Sequence, residues 1–177
     1  SVNIYAWWDV MISRFVWFLA QKKWRDYLIW EKNPIDWLQD WITFFNLESP
    51  FSTVSKDTDK VTWTFWANIN WISFLKKIIG ETNSWVLSIA NNHSLDSLKE
   101  WYDLTKNILI QNNISYIWDK ENDFVIINKK WKNICFDWYA YSGDGSIYKK
   151  IDENNILSSI KLMKKSSCDA IIISLHW

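Results

Sequence analysis

The sequence predicts an α/β domain, a largely parallel or mixed sheet with helices on its faces. Two observations predict it. Short continuous apolar runs alternate along the chain with longer segments of helical periodicity. Those runs also end on polar residues, at Asp9, Asn46-Leu47-Glu48, Asn91-Asn92-His93 and His176. Open α/β sheets bind ligands outside the carboxyl ends of their strands, so that edge is the place to look for a site. The length, 177 residues, suits one domain with a substantial core and is short for two.

The elements follow in order. Val2–Ala6 is an apolar run leading into Trp8-Asp9, as a buried strand would. Ser13 to Trp24 reads as a helix capped by Ser13, and Pro34 starts a short helix through Gln39. Ile42–Phe45 is β-branched and aromatic, a second strand, and Ser52 to Lys60 is a polar loop. Asn70 to Ile79 carries Ile72, Leu75, Ile78 and Ile79 on one helical face, with Gly80 as its stop. Trp85–Ala90 is a third buried strand. Leu98, Tyr102, Thr105 and Leu109 mark a helix from Leu95 to Asn112, followed by a short strand at Ile114–Ile117. Asp123–Ile127 and Asn133–Asp137 form a hairpin, Asn155–Lys165 the last helix and Ala170–Leu175 the last strand. Gly143-Asp144-Gly145 is a plain turn.

Composition narrows the function classes. Twenty basic and twenty acidic side chains cancel, and no basic patch with interleaved aromatics stands out, so nucleic acid is not an expected partner. The most apolar N-terminal stretch, Val2 to Ala20, is interrupted by Asp9 and Arg14, which makes it a poor membrane span. It also lacks the features of a signal peptide. Cys135 and Cys168 lie far apart with no Cys-x-x-Cys spacing. They read as two buried free thiols, with one disulfide as the alternative.

The residue usage is unusual, with 16 Trp and only 3 Gly. A sheet with many turns and helix ends needs glycine where the backbone takes positive φ or approaches a neighbour closely. Several tryptophans occupy such places. Trp131 lies in the polar turn Asn128-Lys129-Lys130-Trp131-Lys132-Asn133, Trp118 follows a short strand, and Trp8 sits at a strand end. We read many of these tryptophans as standing for glycine, as results when UGA codons that a lineage reads as glycine are translated as tryptophan. The alternative is a Trp-rich, carbohydrate-binding protein, but binding aromatics share a face and these follow turn logic.

Four strand ends carry Asp9, Asn46 with Glu48, Asn92 with His93, and His176. Singly, an Asp or Asn after a strand is usually a turn or cap residue, a lone His is usually structural, and Glu48 before Ser49-Pro50 could be a solvated loop carboxylate. Jointly they form a ligand set. Its mix of carboxylate, amide oxygen and imidazole suits Mn, Fe or Zn better than Ca or a thiolate-bound metal.

These residues carry a family resemblance. Trp8-Asp9-Val10-Met11, read with glycine at position 8, resembles the opening Gly-Asp-Val-Met motif of the bacterial capsule-synthesis CapA family, the poly-γ-glutamate biosynthesis proteins. Asn46-Leu47-Glu48-Ser49-Pro50 is similar to its Asn-Leu-Glu-(Ser/Thr)-Pro. Ser88-Ile89-Ala90-Asn91-Asn92-His93-Ser94-Leu95-Asp96 resembles its Ser-Leu-Ala-Asn-Asn-His-x-Leu-Asp signature, the most specific match. Leu175-His176-Trp177 is similar to the start of its His-Trp-Gly motif. The family's Tyr-Gly after this Asp is replaced by Ser97-Leu98, and Trp101 and Trp118 stand where it tends to have glycine.

The resemblance implies a metallophosphatase-like sandwich of mixed β-sheets flanked by helices. It implies Asp9, Glu48, Asn92 and His176 as metal ligands, His93 as the acid for a leaving oxygen, and Asn46, Asn91 and Arg14 as substrate-contacting residues. The Asp-x-His opening of the wider superfamily is absent, since Val10 and Met11 follow Asp9, so one or two divalent ions are expected. The family's later Gly-His-x-Pro-His motif would lie past Trp177, so residues 1–177 read as one incomplete domain. Expected partners are capsule or polyglutamate synthase components, on the outer face of the cytoplasmic membrane. Contact with the membrane would come through those partners or through segments outside this chain. The rival functions are a generic metallophosphoesterase acting on a small phosphorylated substrate, and a non-catalytic accessory subunit of a membrane polymer synthase.

Overall fold

A computed structural model describes residues 1–10, 41–53, 65–79, 84–95, 99–117, 124–141 and 149–176. The helices expected at Ser13–Trp24 and Pro34–Gln39 lie outside these residues, as do Arg14, Trp118, Gly143-Asp144-Gly145 and most of the loop expected after Ser52.

Strands β1 (Ile4–Val10) and β2 (Ile42–Leu47) pair in parallel, and β2 pairs in parallel with β5 (Ser84–Ser88). β5 in turn pairs with β6 (Ser115–Ile117), giving a first sheet in the order β1-β2-β5-β6. A second sheet, β7-β8-β9, joins the hairpin of β7 (Val125–Lys129) and β8 (Lys132–Ala140) to a parallel β9 (Ala170–His176). A two-stranded parallel pair, β3 (Phe51–Ser52) with β4 (Ala67–Asn68), was not foreseen, because Ser52 onward reads as polar loop.

Side-chain alternation along β2 sets the layers. Phe45 and Leu47 point to one face, where they pack with Trp71 and Leu75 of helix α1 (Trp71–Ile79) and Tyr102, Ile108 and Leu109 of α2 (Lys99–Gln111). Ile42 and Phe44 point to the other face and meet Ile134, Phe136 and Trp138 of β8. The two sheets therefore pack face to face. On the outer face of β8, the alternate residue Asp137 is fully buried. It accepts hydrogen bonds from Tyr139 Oη (2.8 Å), Ser159 Oγ and Lys149 Nζ (3.0 Å), which fastens helix α3 (Glu153–Lys165) to the second sheet. Helix, sheet, sheet and helix thus form successive layers. This is the predicted α/β class with mixed sheets, consistent with the metallophosphatase-like fold.

Turn chemistry bears on the tryptophan anomaly. The hairpin between β7 and β8 has a two-residue loop, Lys130-Trp131, with φ of 50° and 64°. Positive φ at both positions is the I′ geometry that matches strand twist and favours glycine at the second place. Trp131 is 96% exposed there, so its indole gains no packing. Trp8 is the extra residue where the β1–β2 register shifts between Trp7 and Asp9, a bulge position where glycine is common. Trp138 is buried with its indole N–H unpartnered, although a buried indole usually finds an acceptor. Trp66 and Trp85 are buried as ordinary core residues.

The two cysteines correct the leading expectation. Cys135 and Cys168 form a disulfide, with Cα atoms 5.9 Å apart. The parallel pairing of β8 with β9 puts Cys135 opposite Ile171 and so brings the segment before β9 alongside it. That proximity is a product of topology and has no signature in the spacing of the two residues.

Candidate metal centre

Register assembles the site. Asp9, Asn46 and Ser88 are neighbours across β1, β2 and β5, so a single row of the first sheet presents Asp9 beside Asn46. Glu48 follows directly after β2, its amide N–H donating to the Val10 carbonyl at 3.1 Å. The next residues are held by Thr105, whose hydroxyl accepts from the Phe51 N–H and donates to the Trp101 carbonyl, both at 2.7 Å. His176 arrives from the second sheet as the last residue of β9. The site thus lies at the carboxyl ends of strands from both sheets, as expected.

Ligand-capable atoms of Asp9, Glu48 and His176 all lie within 4.8 Å of one another. His176 Nδ1 is 3.8 Å from Asp9 Oδ1, and His176 Nε2 is 3.9 Å from Glu48 Oε1. Asn92, exposed beside them, places Oδ1 3.0 Å from His176 Nε2. His93 Nε2 stands 3.8 Å from the same Glu48 Oε1. Glu48 is buried, Asp9 is open to solvent. Burial lowers the His176 pKa below its ordinary 6.5; Asp9 pulls it back up and His93 pushes it further down. The balance favours neutral imidazole, the form that ligates metal.

Asn46 and Asn91 are almost completely buried. Asn46 Nδ2 donates to Asp9 Oδ1 at 2.7 Å and to Glu48 Oε2, and its Oδ1 accepts from Asn91 Nδ2 at 3.0 Å. All the predicted site residues except Arg14, which is outside the described residues, therefore gather at one place. Two neighbours were missed. Phe65 packs its ring 3.9 Å from that of His93, and Trp138 stacks 6.3 Å from His176. Phe65 carries no sequence signal, since an aromatic before a short strand reads as core.

Within the described residues, no helix is long and apolar enough to cross a membrane. A search of curated proteins finds no match. The model of the bacterial capsule synthesis protein PGA_cap family, by contrast, matches residues 4–177, from the first residue of β1 to the end of the chain. The chain belongs to the bacterial capsule synthesis protein PGA_cap family.

Proposed function

We propose that the strand-end cluster is a divalent-metal centre of hydrolase type, working in capsule or poly-γ-glutamate synthesis at the cell envelope. The convergence of Asp9, Glu48 and His176 carries this reading. Two ligands on one ion with bonds of about 2.0–2.2 Å sit about 3–4 Å apart. One ligand atom from each of the three residues lies within 4.8 Å of the other two, a spread slightly wider than that range and one that drawing in around an ion would close. The donor set, two carboxylates, an imidazole and the nearby Asn92 amide oxygen, suits Mn, Fe or Zn.

Asp9, Glu48 and His176 would hold the first ion, and Asn92 would serve a second or orient the His176 ring. When bound, such an ion polarises a phosphoryl-type oxygen and acidifies a water. His93 would give a proton to the leaving oxygen. Its Nε2 lies 3.8 Å from Glu48 Oε1, the oxygen that His176 also faces, and its ring packs on Phe65; a positioned acid contributes roughly 10²–10⁴-fold. The Cys135–Cys168 disulfide supports an oxidising compartment outside the cytoplasm, in keeping with the family. Partners in this reading are the polymer synthase components, through which the protein would meet the membrane.

The test is metal-dependent turnover of aryl phosphate mono- and diesters by the purified protein. His93→Ala should lower turnover roughly 10²–10⁴-fold with metal content unchanged. A metal-loaded protein silent on every substrate would replace the hydrolase with an accessory role in the synthase.

A further inference from the structure

Asn46 and Asn91 lie between the ligands and the protein interior, and the hydrogen-bond polarity around them is fixed at one end. The His93 backbone N–H, which can only donate, points at Asn91 Oδ1 at 3.0 Å. The Leu47 carbonyl, which can only accept, faces Asn91 Nδ2 at 3.0 Å. Asn91 therefore has one permitted amide orientation. Its second Nδ2 hydrogen goes to Asn46 Oδ1, so Asn46 is fixed in turn. Its amide must turn Nδ2 toward Asp9 Oδ1 and Glu48 Oε2. One neutral NH₂ group thus bridges two carboxylates that would otherwise repel each other. It ties down one oxygen of Glu48 and leaves Oε1 facing His93 and His176.

We propose that Asn46 and Asn91 are positioning residues, an amide relay whose polarity is set by the His93 N–H and the Leu47 carbonyl and which orients Asp9 and Glu48 as a metal-ligand pair. The adjacent amides of the Asn91-Asn92-His93 turn then have separate tasks. Asn91 faces inward and sets the relay, and Asn92 faces outward toward His176. The relay replaces direct substrate contact as the role of Asn46 and Asn91, because their amide groups are engaged within the protein. It rests on the metal-centre reading above.

The experiment compares the wild-type chain with Asn91→Asp. The new carboxylate keeps size and shape and accepts from the His93 N–H, but it cannot donate to Asn46 Oδ1, so Asn46 is free to turn its oxygen toward the carboxylates. Asn91 touches no ligand atom, yet Mn²⁺ binding measured by calorimetry should weaken about 10–100-fold, the usual effect of losing an outer-shell partner. The visible spectrum of the Co²⁺-loaded protein should shift as well. Folded Asn91→Asp protein that binds Mn²⁺ within about twofold of wild type and gives the wild-type Co²⁺ spectrum overturns the relay and leaves the metal centre standing. Wild-type protein that binds neither ion removes the metal centre and the relay with it. A measurement on the wild type does not depend on the variant folding. The Asn46 and Asn91 side-chain NH₂ signals should exchange slowly with solvent and move on Zn²⁺ addition, and fast exchange with unmoved signals contradicts the relay.

Discussion

Replacing Trp131 by glycine should stabilise this protein, against the usual effect of removing an aromatic residue. Trp131 occupies the second loop position of the β7–β8 hairpin at φ 64° and is 96% exposed. Truncating it removes almost no buried area, so the transfer penalty that accompanies loss of a core tryptophan does not arise. The left-handed conformation costs an L-residue about 1–2 kcal/mol, which glycine avoids. Glycine gives back about 0.5–1 kcal/mol through its freer unfolded chain. The difference is a net gain of about 0.5–1 kcal/mol, or roughly 1–4 °C in Tm for a chain of this size. Trp131→Ala is the control, because alanine keeps the Cβ and should gain nothing. Calorimetric melting of the three proteins decides the matter. A Trp131→Gly protein that melts below wild type would mean that the indole stabilises the hairpin, and the reading of this position as a glycine site would fall.

Three further outcomes follow from the same structure. Converting Cys135 and Cys168 to serine opens a cross-link spanning 33 residues, which loop-closure entropy values at about 3–4 kcal/mol; urea unfolding of oxidised and Ser/Ser proteins measures it, and equal midpoints would deny the bond a stabilising role. The His176 pKa lies below 6.5 through burial, so the unfolded chain takes up this proton at higher pH than the folded one. The metal-free protein should therefore lose stability as pH falls through 6.5, and His176→Gln should flatten that part of the urea-midpoint profile. A protein that gains stability on acidification there would instead hold His176 as a cation between Asp9 and Glu48. Asp137→Ala removes the buried acceptor that Lys149, Tyr139 and Ser159 share and should cost about 3–5 kcal/mol, whereas a loss below about 1 kcal/mol would show that water or their other contacts compensate.

The central strands of the first sheet, β2 and β5, were legible because they are buried on both faces and read as unbroken apolar runs. Ile42–Phe45 and Trp85–Ala90 fall on β2 and β5 to within two residues. Element starts were less legible. The last helix reads as beginning at Asn155, but Asp152 caps it by accepting from the Asn155 N–H at 3.0 Å, so Glu153 is its first residue. The β3–β4 pair is two residues long on each side, too short for any period to register. The strand-end cluster could be named from sequence because polar residues at the ends of apolar runs stand out. The opposite exposures of Asn91, buried, and Asn92, open to solvent, could not, since adjacent identical residues differ only in which way the turn points them. The disulfide was hidden for a related reason: its partners meet through β8–β9 register rather than through proximity along the chain.

Metal titration of the purified, metal-stripped chain weighs the proposed centre against a merely polar edge. Mn²⁺ or Zn²⁺ should bind wild-type protein and, at a hundredfold excess over Kd, stabilise it by about 2.7 kcal/mol, raising Tm by roughly 5–10 °C. Glu48→Gln and His176→Ala, each removing one of the convergent ligands, should abolish that shift while the variants remain folded. Wild-type protein whose Tm is indifferent to every divalent ion, or variants that respond as fully as wild type, would contradict a metal centre at Asp9, Glu48 and His176.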